Sequence, residues 1–364
     1  MQFIDFNYQK NIQKKIFSEL KSNFKKNDFI LGEKVKIFEK NFAKFSEKKF
    51  AIGVSSGTDA LFLALKSLSL KKNDEVIVPA HTFIATALSV IYANLRIKLC
   101  DVDPVTFLLD EKKLKKIITK KTKVIIPVHL YGYGSNINKI KKIIEGKKIK
   151  IIEDASQAHG LNHFCDYVFK GDIIIFSLYP AKNLGANGDA GIIVTNQKKY
   201  YSKILLLRNW GSIKKYQHNL VGYNMRMDTI QATILNEKLK YLRKWTNDRI
   251  KIARKYNEAF KKIKNIEVQS LNSKNHVYHL FVIKTMFRDK LQKFLSENNI
   301  PTIIHYPKAI HQHKAFAKYS FYNKKFITSE FLVKKIISLP LYPGMKLKHQ
   351  NFVIKKVKQF FNSL

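Results

Sequence analysis

The stretch Phe176–Gly191 reads FSLYPAKNLGANGDAG and places one lysine, Lys182, in a glycine-rich turn between two apolar segments. Short apolar segments bounded by glycine indicate buried β-strands, so we predict strands at Asp172–Ser177 and Gly191–Asn196. A lysine enclosed between such strands loses solvation, and its amine then deprotonates more easily and can form a Schiff base with a carbonyl. Taken alone, this turn also fits an ordinary solvated surface lysine.

Five further Val- and Ile-rich segments precede this turn, and helical patterns separate them. We predict strands at Phe50–Ser55, Glu75–Pro79, Ile97–Val102, Val124–His129 and Ile149–Asp154. One intervening helix is predicted at Thr58–Leu70, where leucines recur at helical intervals. Strands that alternate with helices are typical of a parallel sheet. The sequence therefore predicts an α/β fold with a mostly parallel sheet flanked by helices.

The order of elements changes after a long helical pattern that runs from Asp228 to about Lys262. Beyond it we predict a strand, a helix, a strand and a terminal helix, the first three at His276–Lys284, Asp289–Asn298 and Thr302–Tyr306. This change places a domain boundary inside the long helical pattern. We expect a large domain over residues 1–240 and a smaller C-terminal α+β domain over 241–364.

The 364 residues carry a formal net charge of +40, which by itself suggests a nucleic-acid or membrane partner. Only seven of the 67 basic residues are arginine, and the lysines are spread over nearly every segment. Arginine is the preferred residue for bidentate phosphate and base contacts, so this pattern favours solvated surfaces over nucleic-acid binding. A general positive field would still attract an anionic small substrate.

Several protein classes are excluded by what the sequence lacks. No apolar stretch approaches the roughly 20 residues that span a bilayer, and the N-terminus lacks the order of a secretory signal. Two cysteines, Cys100 and Cys165, are too few for a disulfide scaffold or a four-thiolate metal site. We expect a soluble cytoplasmic protein with no metal and no membrane partner.

A second chemical cue is Ile151–Gly160, which reads IIEDASQAHG. A hydrophobic strand leads directly into Asp154 and Gln157, and ligands bind at the carboxyl ends of strands in parallel sheets. A carboxylate partly buried there needs a cationic partner or strong donors. A helix-capping aspartate is the alternative interpretation.

A third cue is Val54–Ala60, VSSGTDA, where a strand ends in small residues and a helix begins. Unpaired N–H groups at a helix N-terminus bind phosphate well, although Ser and Thr are also ordinary helix caps. A phosphate-binding turn, a strand-end aspartate and a buried lysine together match the needs of pyridoxal phosphate. The lysine carries the aldehyde carbon, and the aspartate keeps the pyridine nitrogen protonated.

At these residues the chain resembles the DegT/StrS-type sugar aminotransferases, which are pyridoxal-phosphate enzymes of fold type I. The resemblance covers almost the whole length. Besides the three cues, it rests on Phe29–Glu33, Pro127–Gly132, Gly222–Asp228, Ile304–Pro307 and Leu339–Pro343. The segment Leu161–Lys170 departs from the family, and we assign no role there.

The resemblance implies roles around pyridoxal phosphate. Lys182 would hold the cofactor and move the proton, Asp154 would pair with the pyridine nitrogen, and Gln157 would lie near the phenolic oxygen. The remaining cofactor contacts would come from Gly57, Thr58 and Ser177 at the phosphate and Phe83 against the ring.

The resemblance also implies a homodimer with shared active sites. Asn224 would reach the phosphate in the neighbouring subunit, and His305, Tyr306 and His311 would face the substrate. For each histidine, a hydrogen-bonded structural role is the alternative.

The reaction implied by the resemblance is transfer of an amino group from L-glutamate to a keto sugar on a nucleoside diphosphate, for surface glycan synthesis. The turn after Lys182 resembles members that aminate carbon 3 of dTDP-3-keto-6-deoxyhexoses. Members that aminate carbon 4, on UDP, dTDP or GDP sugars, more often carry a Thr-rich turn ending in Gly-Glu-Gly, and this remains the alternative.

Two other protein classes are compatible with this fold. Dehydratases of the same family replace the lysine with histidine or add an iron–sulfur cluster, and Lys182 and the scarcity of cysteine argue against both. A non-catalytic regulator or a basic nucleic-acid-binding protein with this fold is disfavoured by intact Lys182, Asp154 and Gln157.

Overall fold

The computed structural model describes residues 1–269, 275–322 and 324–364. Seven strands form the central sheet in the order β1-β7-β6-β5-β4-β2-β3. They are β1 Phe50–Val54, β2 Glu75–Pro79, β3 Arg96–Cys100, β4 Thr122–Ile125, β5 Lys150–Asp154, β6 Ile173–Ser177 and β7 Gly191–Thr195. Strand β7 pairs antiparallel with β1 and β6, whereas the other pairs are parallel. The predicted mostly parallel sheet is confirmed.

Both faces of this sheet are buried, which explains its nearly continuous Val and Ile content. Successive side chains of a strand point to opposite faces. In β6, Ile174 and Phe176 pack in one apolar cluster, and Ile173 and Ile175 pack in the cluster on the other face. Helices cover both clusters, so the central strands reach solvent only at their ends.

Thirteen α-helices surround the sheets in the described part of the chain. They are α1 Lys10–Lys26, α2 Glu33–Phe45, α3 Gly57–Ser67, α4 Ile84–Tyr92, α5 Glu111–Ile117, α6 Ile137–Ile143, α7 Leu161–Phe164, α8 Lys198–Leu207, α9 Thr229–Leu239, α10 Leu242–Phe260, α11 Arg288–Glu297, α12 Ile327–Lys335 and α13 Leu347–Asn362. The long helical pattern is thus two helices, which separate at Lys240 and Tyr241. The proposed domain boundary after residue 240 coincides with this break and stays a prediction. None of the helices within the described ranges is both long and apolar enough to cross a membrane.

A smaller antiparallel sheet of three strands lies in the C-terminal part, in the order β10-β11-β12. The remaining strands are β8 Ser212–Lys214 and β9 Gln217–His218, which form a hairpin, followed by β10 Glu267–Val268, β11 Phe281–Lys284 and β12 Ile336–Leu339. Strand β12 was not predicted, although its segment, IISL, is short and apolar. It pairs with β11 from Phe281↔Leu339 to Lys284↔Ile336.

Two strand predictions in this region need correction. The strand predicted at His276–Lys284 begins only at Phe281, because the preceding backbone bonds a loop of the large sheet: the N–H groups of Val277 and Leu280 donate to Gly132 and Tyr131 carbonyls. The segment Thr302–Tyr306 is not a strand, since it makes a single bridge from Ile303 to Ser338.

The fold brings the three cues together at one edge of the large sheet. Strands β5 and β6 end there, at Asp154 and Ser177, and the register pairs Gly191 with both Ser177 and Val54. A Cβ atom at Gly191 would lie 2.3 Å from the carbonyl oxygen of Ser56. Only glycine at this position lets the turn before α3 approach the lysine turn.

Candidate active site

A cavity of about 430 Å³ opens at this edge of the sheet. All but two of the sequence-predicted site residues line it: Gly57, Thr58, Phe83, Asp154, Gln157, Ser177, Lys182, His305 and Tyr306. The first seven come from the strands of the large sheet, the loops that follow them and the start of α3, and the last two come from the loop after α11. The volume is in the range of small-molecule sites.

Lys182 projects from a turn that backbone hydrogen bonds hold rigidly. Its own N–H donates to the Tyr179 carbonyl at 2.8 Å, and the Ala186 N–H donates to the Leu178 carbonyl at 2.7 Å. Its ammonium group has no hydrogen-bond or ion-pair partner within the described ranges. Burial lowers the pKa of Lys182 to about 8, although the charge of Asp154 opposes this shift. A sizeable fraction of the amine is therefore neutral near physiological pH.

Asp154 is buried at the end of β5 and has two donors. The hydroxyl of Thr86 donates to Oδ2 at 3.0 Å, and the N–H of Ser156 donates to Oδ1 at 3.1 Å. A carboxylate has about four acceptor positions, so capacity remains for a further donor in the cavity. The carboxylate can therefore pair with a protonated ring nitrogen.

The N-terminus of α3 faces the cavity as an anion cradle. Ser56 caps the helix by accepting the Asp59 N–H at 3.0 Å. A Cβ at Gly57 would lie 2.6 Å from the Cβ of Ser177, so glycine is needed for the helix to sit against the end of β6. Thr58 and Ser177 supply hydroxyls at the positive end of the helix dipole.

On the opposite wall, Tyr306 and Gln157 are joined by a hydrogen bond. The Gln157 amide nitrogen donates to the Tyr306 hydroxyl at 3.0 Å. The ring of Phe83 lies 5.5 Å from that of Tyr306 and is about half exposed, at 51%. His305 bonds the Ser338 hydroxyl at 2.9 Å, and burial lowers its pKa to about 4. This wall therefore presents two aromatic rings and a neutral imidazole.

Some functional candidates were missed from the sequence. Thr86 contacts Asp154 from α4, and His279 lines the cavity with its Nδ1 3.2 Å from the Asn183 Oδ1. Burial and the neighbouring charge of Lys182 hold the pKa of His279 well below its ordinary value. His279 lies in the segment predicted as a strand, and nothing in its pattern distinguished it from a structural histidine.

Two predicted residues lie outside this cavity. Asn224 is exposed and forms a β-bridge with Asn209. His311 is buried, with its Nε2 3.0 Å from a carboxylate oxygen of Glu330. Their predicted contacts with cofactor and substrate stay predictions.

The divergent segment Leu161–Lys170 closes a buried polar network behind the cavity. The Tyr167 hydroxyl donates to Glu153 at 2.8 Å, and the Lys170 N–H donates to the same carboxylate at 2.6 Å. His129 completes it, with Nε2 3.0 Å from Glu153. The segment thus stabilises the residue directly before Asp154.

These residues fit pyridoxal phosphate. The amine of Lys182 has no partner in the described chain, Asp154 keeps acceptor capacity, and the Gly57 cradle would be filled by any side chain. The cavity therefore combines a nucleophilic amine, an acceptor for a ring N–H and an anion site. Comparison with known proteins gives the same assignment.

The DegT/DnrJ/EryC1/StrS aminotransferase family matches residues 10–358. The chain belongs to this family. A dTDP-3-amino-3,6-dideoxy-α-D-galactopyranose transaminase of Aneurinibacillus thermoaerophilus is 38% identical over 361 residues, covering 98% of this chain and 97% of the relative. A UDP-N-acetyl-3-dehydro-α-D-glucosamine 3-aminotransferase of Acidithiobacillus ferrooxidans is 36% identical and covers 87% and 86%. A protein of Geobacillus stearothermophilus named pleiotropic regulatory protein is 37% identical and covers 92% and 91%.

Solved structures of this family superpose closely. A DegT/DnrJ/EryC1/StrS aminotransferase from Brucella abortus has a TM-score of 0.94 at 31% identity, with 99% of both chains covered. NtdA from Bacillus subtilis, solved with the cofactor PMP bound, has a TM-score of 0.92 at 31% identity, with 99% of this chain and 83% of NtdA covered. The predicted fold, aminotransferase class and pyridoxal-phosphate cofactor are confirmed.

Proposed function

We propose that this aminotransferase transfers the amino group of L-glutamate to carbon 3 of a nucleotide-linked 3-keto-6-deoxyhexose, with dTDP as the nucleotide. The observation that carries the proposal is the Lys182 amine, enclosed without a partner in the described chain and opposite Asp154. The proposed setting is the cytoplasm, in the synthesis of a surface glycan.

Lys182 is the acid–base group in this proposal. The bound cofactor supplies an electron sink and a place to store the amino group between the two halves of the reaction. Nζ of Lys182 takes a proton from the α-carbon of the amino donor in the first half. In the second half it delivers a proton to the sugar carbon that receives the amine. A pKa of about 8 suits a group that acts as base and as acid in turn.

The other residues of the site hold and orient the cofactor. Asp154 holds a proton on the ring nitrogen, and the N-terminus of α3 with Thr58 and Ser177 binds the phosphate. Gln157 and Phe83, which line the same cavity, would contact the phenolic oxygen and the ring of the cofactor. Removal of water from this cavity strengthens each of these electrostatic contacts.

The sugar binds on the wall formed by His305 and Tyr306. Burial raises the pKa of Tyr306, so its hydroxyl keeps its proton and hydrogen-bonds sugar oxygens. The diphosphate carries negative charge, and the +40 formal charge of the chain favours its approach.

Amination at carbon 3 is supported by the names of the two relatives described above, a 3-amino sugar transaminase and a 3-aminotransferase. These relatives differ in nucleotide, since one name specifies dTDP and the other UDP. The sequence of the turn after Lys182 favours carbon 3 as well. The choice of dTDP is supported by the relative that covers the larger share of this chain.

A homodimer is supported by the position of Asn224. Because Asn224 is exposed and outside the cavity of its own chain, a contact with phosphate requires a second subunit. Around it, Trp210 and Val221 are exposed, at 43% and 88%, and Arg226 stacks on the Trp210 ring at 4.1 Å. Exposed apolar side chains of this kind mark association surfaces.

Regulation without catalysis is a second candidate, favoured by the name of the Geobacillus stearothermophilus relative. The two functions differ in one measurement. An enzyme converts L-glutamate to 2-oxoglutarate stoichiometrically with its bound cofactor, and a non-catalytic regulator does not.

The proposed substrate is tested with 3-keto and 4-keto 6-deoxyhexoses on dTDP and UDP, each supplied with L-glutamate. We expect amination of the 3-keto dTDP sugar, with the new amine located at carbon 3 by NMR. The Lys182→Ala variant is the control for background amination. Product with the amine only at carbon 4 would contradict the proposal and leave the aminotransferase assignment intact.

A further inference from the structure

Tyr131 connects the two walls of the cavity although it does not line the cavity itself. It lies in a short 3₁₀ turn, Leu130–Gly132, and is fully buried. Its main-chain N–H donates to Oε1 of Gln157, and its hydroxyl donates to the carbonyl of His305. One residue outside the cavity therefore contacts a cofactor-side residue and a substrate-side residue.

The first contact decides how the Gln157 amide is oriented. Because Oε1 accepts the Tyr131 N–H, the NH₂ group must point the other way, and it donates to the Tyr306 hydroxyl at 3.0 Å. The Tyr306 oxygen therefore acts as an acceptor in the wall. Its single proton is left for an acceptor in the cavity.

The second contact is supported from behind by His81. Its Nε2 lies 3.0 Å from the Tyr131 hydroxyl. Since the only hydroxyl proton of Tyr131 goes to the His305 carbonyl, His81 must donate through Nε2. Burial lowers the pKa of His81 to about 4 and raises that of Tyr131, so both groups keep these protonation states at neutral pH. The donors run in one direction, from His81 through Tyr131 to His305.

The backbone of Tyr131 gives an independent sign that this position is held by its surroundings. Its φ angle is 61°, in the left-handed region that is unfavourable for residues other than glycine. Such conformations persist where neighbouring contacts fix them, and they are common beside functional sites. Here the neighbouring contacts are those to Gln157 and His305.

We propose that Tyr131 is a positioning residue that fixes His305 and Tyr306 for the sugar, so that Tyr306 presents a hydrogen-bond donor to a sugar oxygen. This inference rests on the proposed function, because it assigns Tyr306 to the sugar half of the reaction. The inference distinguishes the two half-reactions. The Tyr131 hydroxyl contributes only to the half in which the sugar binds, whereas the lysine turn contributes to both.

The test uses Tyr131→Phe in the loaded enzyme, with each half-reaction followed separately in single turnovers. We expect the L-glutamate half and the absorbance of the lysine-bound cofactor to stay within about twofold of wild type. The apparent Kd for the keto sugar in the second half, and the Kd for the aminated product by calorimetry, rise about tenfold, as loss of one buried hydrogen bond predicts. Tyr133→Phe is the matched control, since Tyr133 is buried nearby and its hydroxyl has no partner among the described residues.

His81 provides a second variant that keeps the test independent of the folding of Tyr131→Phe. His81→Leu removes the donor behind Tyr131 and should weaken sugar binding severalfold, whereas His81→Gln, which retains a donor, should restore it. Equal losses in both half-reactions, or unchanged sugar and product affinity in both Tyr131→Phe and His81→Leu, would overturn the positioning role. A wild-type enzyme that consumes L-glutamate and aminates no nucleotide sugar would instead contradict the proposed function.

Discussion

Lys182 in the lysine turn is partly buried and Lys238 on helix α9 is buried, and burial lowers the pKa of each to about 8, yet the two lysines differ in their surroundings. Lys182 borders the cavity and has no partner for its ammonium in the described chain. Lys238, on α9, donates to the Gly185 carbonyl at 2.8 Å and to Oδ1 of Asn187 at 2.7 Å. Burial and a depressed pKa are therefore shared by a reactive amine and by a structural one.

The two lysines differ in whether the described protein supplies hydrogen-bond acceptors for the side-chain amine. Both oxygens that Lys238 contacts belong to the turn that follows Lys182, so α9 anchors the turn through its own buried lysine. Lys182 then needs no protein partner to keep its place. An unpartnered charge in a cavity is the sign of reactivity here, because a structural charge would be costly without its acceptors.

Lys182→Ala tests the reactive member of the pair. Because no other amine lies among the described residues that line the cavity, we expect transamination to fall by on the order of 10³-fold or more, with the fold intact by circular dichroism. Treatment of wild type with borohydride should attach the cofactor to Lys182, and mass spectrometry locates the modified peptide. A folded variant with wild-type turnover would end the assignment.

The pKa of Lys182 predicts how fast the apoenzyme captures pyridoxal phosphate. Only the neutral amine attacks an aldehyde, so below pH 8 the rate should fall about tenfold for each pH unit and level off above it. Stopped-flow absorbance between pH 6 and 10 measures this. The Lys238→Met variant should keep the same midpoint, and a midpoint near the ordinary value of lysine would contradict the buried amine.

Lys238→Met removes the anchor and leaves two oxygens of the lysine turn unpaired. We expect kcat to fall about tenfold through misplacement of Lys182, with the cofactor still bound covalently. The measurement is steady-state transamination beside Lys244→Met, an exposed lysine on the neighbouring helix. Unchanged kcat in Lys238→Met would show that the lysine turn keeps its conformation without the Lys238 hydrogen bonds.

The smallest expected effect is on how the free energy of unfolding changes with pH. The pKa of Lys238 is about 8 in the folded chain and near 10.5 when unfolded, so between these values the unfolded chain binds more protons and stability rises with pH. In Lys238→Met apoenzyme this rise should be smaller by up to about 1.4 kcal/mol per pH unit. Urea unfolding at pH 8, 9 and 10 measures the slope, with Lys198→Met as the exposed control. Equal slopes in all three proteins would contradict the shift.

The sequence predicted the lysine turn, but it did not predict Lys238, the residue that anchors this turn. The apolar strands around Lys182 and the strand-end Asp154 are local patterns, and chain order alone placed them at one edge of a parallel sheet. Lys238 looked like any other lysine, because its burial depends on the packing of α9 against a turn some fifty residues earlier in the chain. Contacts of that kind have no local signal.

The C-terminal part was predicted less well for the same reason. The sequence prediction does not include strand β12, and the strand that it places at Thr302–Tyr306 makes a single bridge, from Ile303 to Ser338. In the structure the carbonyl of His305 bonds the side chain of Tyr131 from the large sheet. The family resemblance assigns His311 to the substrate side, which stays a prediction, and in the structure its Nε2 lies 3.0 Å from Glu330 on α12.

The position of β1 at the edge of the large sheet constrains when, during synthesis, the phosphate site can form. Among the described strands of that sheet, β1 pairs with β7 alone, which follows it by well over a hundred residues in the chain. During synthesis the turn before α3 therefore emerges long before the strand that holds it against the lysine turn. The phosphate cradle cannot close until Gly191–Thr195 has left the ribosome, so productive loading with cofactor is confined to the late nascent chain and the finished polypeptide.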